Sequence, residues 1–169
     1  MKRLLLTTII LLAALTGMNA QGYKWWAGGR TALWTGDGGI TFHVAPEIGY
    51  RLAPKWTIAS SLGIQANNYK NGRDIYALIM NPYMRYTVFK QGVLLGFVDG
   101  GVEFGLGDLI GFQLGFKPGV AILLTERFTV ATQFGFVGYS DGKDIGGRRQ
   151  GFGYDLSGYC STIAFFYSF

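Results

Sequence analysis

Residues 110–124 read IGFQLGFKPGVAILL. The even positions Ile110, Phe112, Leu114, Phe116, Pro118, Val120, Ile122 and Leu124 are apolar, whereas Gly111, Gln113, Gly115, Lys117, Gly119 and Ala121 between them are small or polar, with Leu123 the exception. Extended chain points successive side chains to opposite faces, while a helix repeats every 3.6 residues. The stretch therefore predicts a strand with one apolar face and one small or polar face.

The same pattern extends outward from it. In residues 75–89, Tyr76, Leu78, Met80, Pro82, Met84, Tyr86 and Val88 oppose Ala77, Ile79, Asn81, Tyr83, Arg85 and Thr87. In residues 40–52, Phe42, Val44, Pro46, Ile48 and Tyr50 oppose His43, Ala45, Glu47, Gly49 and Arg51. Pro46, Pro82 and Pro118 are spaced 36 residues apart, and each precedes a strand end, a short polar break and a new strand. The breaks are Ala53-Pro54-Lys55, Lys90-Gln91-Gly92 and Thr125-Glu126-Arg127, so the repeating unit is a hairpin. Each proline removes one ladder donor, which places it at a bulge or near a strand end. Counting along the chain predicts eight strands, at 23–35, 40–52, 56–69, 75–89, 93–105, 109–124, 128–139 and 151–169. Tight turns alternate with Gly-rich polar connections, which predicts an all-β, eight-stranded antiparallel up-and-down barrel.

A water-soluble barrel would alternate equally well, so the character of the second face decides what solvent surrounds the first. Charged residues make up 15% of the chain, against about 25% in soluble domains. The second face is mainly Gly, Ala, Ser, Thr and Gln with isolated charges, which suits the cramped interior of a narrow barrel, while the large side chains suit lipid tails. The reading is a transmembrane β-barrel. Trp25, Trp34, Tyr50, Trp56, Tyr86, Tyr139, Tyr167 and Phe169 gather near strand ends, where interfacial aromatic girdles are expected.

Residues 1–20 have the order of a secretory signal peptide: basic Lys2-Arg3, an apolar run from Leu4 to Leu15, and a small residue, Ala20. Residues 21–169 then form the barrel domain. Loss of Lys2 and Arg3 takes the basic count from 15 to 13 against 10 acids, a net of +3. With only Arg148 and Arg149 adjacent, this is no nucleic-acid footprint. Cys160 is the one cysteine, and no metal or cofactor signature accompanies it.

The leader, the opening QGYKWW of residues 21–26, the Tyr-rich even strands, and the closing STIAFFYSF of residues 161–169 resemble the small outer-membrane β-barrels of Gram-negative bacteria (porin family, OmpA/OmpX-like, Bacteroidetes type). The resemblance implies location in the cell outer membrane, contact with its lipid and lipopolysaccharide, and a monomer. It also implies recognition of the last strand, through Phe165, Tyr167 and Phe169, by the β-barrel assembly machinery.

Chemistry is expected from the inward face or the loops. Parity assigns Arg30, His43, Glu47, Arg51, Arg85, Asp99, Glu103 and Lys117 to the interior. Opposite charges there should pair, because an unpaired buried charge is costly, and the pairs would plug the lumen. The alternative is a narrow ion path, a low-conductance porin. A third class, a lipid-modifying enzyme, needs a nucleophile and a base on the lipid side. His43 is the sole histidine, parity points it and Ser61 inward, and no nucleophile motif surrounds Ser61, so a non-enzymatic structural or surface-interaction barrel is the expectation. Gly105-Leu106-Gly107-Asp108 lacks the Lys and helix of a phosphate loop and reads as a connection. Lys143, Arg148 and Arg149 form a candidate contact to lipopolysaccharide phosphates.

Overall fold

The computed structural model describes residues 24–36, 39–69, 74–142, 150–156 and 162–169. The expected leader (residues 1–20) and the surface cations Lys143, Arg148 and Arg149 lie outside the described residues, as does Cys160. Ten strands follow in chain order: β1 (Trp25–Gly36), β2 (Gly39–Ala53), β3 (Trp56–Tyr69), β4 (Asp74–Gln91), β5 (Leu94–Gly107), β6 (Gly111–Leu123), β7 (Phe128–Gln133), β8 (Phe136–Gly142), β9 (Gly151–Asp155) and β10 (Thr162–Ser168). Successive strands pair antiparallel from β1 to β6, and β10 joins β1 to β7, so the sheet closes on itself. β7 and β8 share the length of β6 as one interrupted crossing, and β9 and β10 contribute to the last one. The result is a closed eight-stranded antiparallel β-barrel.

The interruption between β7 and β8 follows from a proline. Gly119 pairs with Gln133 and Phe116 with Val137, so Phe134, Gly135 and Phe136 face only Lys117 and Pro118. Pro118 has no N–H to give, its carbonyl accepts from Phe134 N at 3.0 Å, and Gly135 takes up the extra residue at φ 80°. One added residue reverses the alternation. Phe136, which shares even numbering with the outward Phe128 and Val130, turns into the interior and is 3% exposed. Pro46 and Pro82 act more mildly: the β2–β3 ladder passes from Val44–Ile64 to Glu47–Ser61, and the β4–β5 ladder from Met80–Phe104 to Tyr83–Gly101, each without a register shift.

The two faces are sharply different. Outward residues in mid-strand are large and apolar, and they stand in the open: Ile64 and Phe116 are each 61% exposed, and Leu62, Leu114 and Ile163 are similar. Asp74 and Asp141 are the only charges in the outward series of the described strands, and they stand at the ends of β4 and β8. Trp25 packs against Tyr50 and Trp56 against Tyr86 as tilted ring pairs, with centroids 4.8 and 4.7 Å apart, both close to the end that carries the tight turns. Phe165 and Tyr167 also point outward, but Phe169 is only 9% exposed and exchanges backbone hydrogen bonds with Trp25, so the three expected assembly aromatics do not share one environment.

Inside, small residues make room for large ones. A Cβ on Gly49 would overlap the Trp26 ring, and one on Gly119 would overlap the Phe97 ring. Trp26, Tyr83, Phe97 and Phe166 with Ala121, Ala131 and Ala164 form the main core, toward the turn end of the barrel. A second cluster of Ile75, Ala77, Ile79 and Leu109 lies toward the loop end.

Candidate functional site in the barrel lumen

The hairpin repeat sets the stations of the lumen. Residues one before each proline (Ala45, Asn81, Lys117), one after (Glu47, Tyr83, Gly119) and three after (Gly49, Arg85, Ala121) belong to the inward series of β2, β4 and β6. Odd strands supply the complements: Arg30 from β1, and Asp99 and Glu103 from β5.

Three cations meet three carboxylates there. Arg30 donates from Nε and Nη2 to Oε2 of Glu47, both at 2.8 Å. Arg85 holds Asp99 with a two-pronged contact, Nε to Oδ1 at 2.7 Å and Nη2 to Oδ2 at 2.8 Å. Lys117 Nζ reaches Glu103 Oε2 at 2.5 Å, and Asn81 Nδ2 donates to the same oxygen at 3.0 Å. The direct cross-strand neighbour of Lys117 is Asp99, not Glu103. Asp99 is already occupied by Arg85 and by the Gln133 amide, so the lysine turns along the lumen to the free carboxylate.

Two neutral side chains join the pairs into one network. Gln133 accepts from Arg30 Nη1 at 2.9 Å and donates Nε2 to Asp99 Oδ2. The Tyr83 hydroxyl donates to Glu47 Oε1 and lies 3.5 Å from Arg85 Nη2. Such cross-links matter because a carboxylate in a desolvated interior needs its remaining lone pairs satisfied, and chains of hydrogen bonds reinforce one another. Arg30, Glu47 and Asp99 are all buried.

The Arg85 guanidinium is also enclosed by rings. Its Cζ lies 3.9 Å from the centroid of Phe97, 5.4 Å from Phe166, 5.5 Å from Tyr83 and 6.0 Å from Trp26. A planar cation is attracted to ring faces, the more so where water is excluded. Residues from β1, β4, β5 and β10 thus meet on one guanidinium.

His43 and Arg51 stand apart from the network. His43 faces the lumen with its Nε2 buried and without a hydrogen-bond partner, as is Ser140 Oγ. Ser61 is buried on the adjacent strand, and no hydrogen bond links it to His43. Arg51 shares the inward face through its pairing with Thr57 and then Arg85, but it is exposed at the turn-end mouth. Among the described residues no group of three or more His, Cys, Asp or Glu side chains is placed to hold a metal ion. The Gly-rich connection after β5 is a clip: Asp108 Oδ2 accepts from Tyr76 N at 2.9 Å, Asp108 N donates to Tyr76 O at 3.0 Å, and Gly107 supplies φ 104°.

Parity assigns the charges to the lumen but cannot name the linkers. Gln133 and Tyr83 are inward by the same alternation, yet nothing in a period of two says that they touch carboxylates from other strands. No protein-family model matches the chain, and no curated protein matches it either.

Proposed function

We propose that this chain is an integral outer-membrane β-barrel of a Gram-negative bacterium that acts as a structural or surface-interaction protein, its lumen plugged by its own ion pairs. The observation that carries the reading is the inversion of polarity. A belt of large apolar side chains without mid-strand charge faces out, while three cations and three carboxylates pair inside. In water that belt would be an aggregation surface far beyond what monomeric proteins expose; in hydrocarbon it is the required exterior. Strands β1 to β6 run 12 to 18 residues, more than the roughly 9–11 that a tilted strand needs to cross a bilayer. Closure satisfies the strand edges that a bilayer would leave without partners.

Export then uses residues 1–20 as a cleaved leader, and the assembly machinery takes the last strand through Phe165 and Tyr167, with Phe169 engaging β1 once the barrel closes. The monomer contacts outer-membrane lipid and, through Lys143, Arg148 and Arg149, lipopolysaccharide. A lipid-modifying activity finds little support, because His43 and Ser61 face the lumen rather than the lipid.

The test is a charge placed on the belt. Leu62 pairs with Met80 in mid-strand and points outward. Leu62→Arg is expected to lower the stability of the barrel in phosphatidylcholine vesicles by about 2–4 kcal/mol, read from urea unfolding midpoints. A change within about 0.5 kcal/mol, as expected of an arginine on a water-exposed surface, contradicts the membrane reading.

A further inference from the structure

At the turn end the lumen opens into a cavity of about 340 Å³. The ring cage already described borders it, with Trp26, Arg85, Phe97 and Phe166 all among its lining. Its walls mix apolar groups, Leu95 and Leu123 among them, with the hydroxyls of Thr57, Thr87 and Thr129. The volume lies at the lower end of the roughly 300–1,000 Å³ of small-molecule sites, which combine apolar walls with a few polar groups.

The charge of the lining is one-sided. Arg51, Lys55, Arg85 and Lys90 line it, and no Asp or Glu does. Arg85 is neutralised by Asp99 and Lys55 lies over the Tyr86 ring at 5.9 Å, whereas the side chains of Arg51 and Lys90 have no hydrogen bond or ion pair among the described residues. Register fixes both on the inward side: Arg51 pairs with Thr57, and Lys90 pairs with Leu95, which pairs with buried Ala121. Glu47, Asp99 and Glu103 are already paired with Arg30, Arg85 and Lys117, so these two cations lie outside the three lumen pairs.

From this juxtaposition we propose that the turn-end pocket binds a small amphipathic anion. Its apolar body packs on Leu95, Leu123 and Phe97, and its carboxylate or phosphate head is drawn to the cationic lining that Arg51 and Lys90 supply. Cations without an internal partner in the lining of a partly apolar pocket attract an anion, and the guanidinium can grip two of its oxygens at once. The apolar walls select against a bare inorganic ion, and the cationic lining selects against a neutral hydrocarbon.

The test is calorimetric titration of 1-naphthyl phosphate into the folded barrel in phosphatidylcholine nanodiscs, with inorganic phosphate and 1-naphthol as the separated halves of the probe. The expected result is one saturable site that binds either half at least about tenfold more weakly than the whole probe, and that loses about tenfold in affinity in Arg51→Gln/Lys90→Gln. Both side chains are exposed and unpartnered, so the variant keeps its fold, which heat-modifiable gel mobility verifies. Displacement of the probe by phosphatidylglycerol in the nanodisc assigns the head site to a lipid phosphate, and retention assigns it to a soluble anion. Absence of binding, an affinity unchanged in the double variant, or equal binding of inorganic phosphate overturns the proposal.

Discussion

Replacing Arg85 with alanine is expected to destabilise the barrel by about 3–5 kcal/mol, the usual loss when one partner of a buried ion pair is removed. Asp99 would keep Gln133, and if Lys117, its register neighbour, turned to it, Glu103 would lose its cation instead, so one buried carboxylate is stranded either way, and four rings would face an empty space. The measurement is the urea midpoint in phosphatidylcholine vesicles, followed by the shift between folded and unfolded gel mobility. Charge and volume are separable. Arg85→Met fills the cage yet still strands the carboxylate, and so remains unstable, whereas Arg85→Met with Asp99→Leu removes both charges and recovers most of the loss. A single variant that unfolds within about 1 kcal/mol of the parent would mean that the pair is solvated and the lumen open.

The second large effect lies at the seam where the barrel closes. Gly28 in β1 pairs with Phe166 of β10 on one side and Glu47 of β2 on the other. A Cβ there would overlap the carbonyl oxygen of Phe165 and come within 2.8 Å of Phe166 Cδ1. The first of these is backbone and cannot rotate away, so β1 and β10 must separate to accept even a methyl group. Gly28→Ala is expected to cost at least the roughly 1–3 kcal/mol of an overpacked core and to slow folding into vesicles, because closure is the step it opposes. Gly153→Ala is the control: a Cβ there meets nothing within 4 Å, and its effect should stay within about 0.5 kcal/mol. Equal behaviour of the two variants would contradict the seam assignment.

Much of this fold is legible from a period of two, because a strand whose two faces differ in chemistry must write the difference into alternate residues. The strand number, the hairpin turns and the inward placement of Arg30, Glu47, Arg85, Asp99, Glu103 and Lys117 all follow from that alternation. It fails where the count changes. Phe136 keeps even numbering yet turns inward, because the extra residue at Gly135 lies on a different strand from Pro118, the residue that makes room for it. The 36-residue spacing of the prolines marks equivalent stations, but not that Glu47 and Tyr83, at the same station of successive repeats, would bond to each other. The partner of Lys117 was equally hidden. Register brings it opposite Asp99, and only the prior claim of Arg85 on that carboxylate sends it to Glu103.

Electrical conductance distinguishes a lumen plugged by side chains from an open one. Purified, folded barrel is inserted into a planar phosphatidylcholine bilayer, and single-channel current is recorded in molar salt, with insertion verified by protection from protease. Silence is expected, because in a plugged lumen the caged guanidinium of Arg85 and the linked pairs of Arg30, Glu47, Gln133 and Asp99 leave ions no continuous water path. Discrete current steps that change in size with Glu103→Gln or Lys117→Gln would contradict it and make the same charges the lining of a narrow pore.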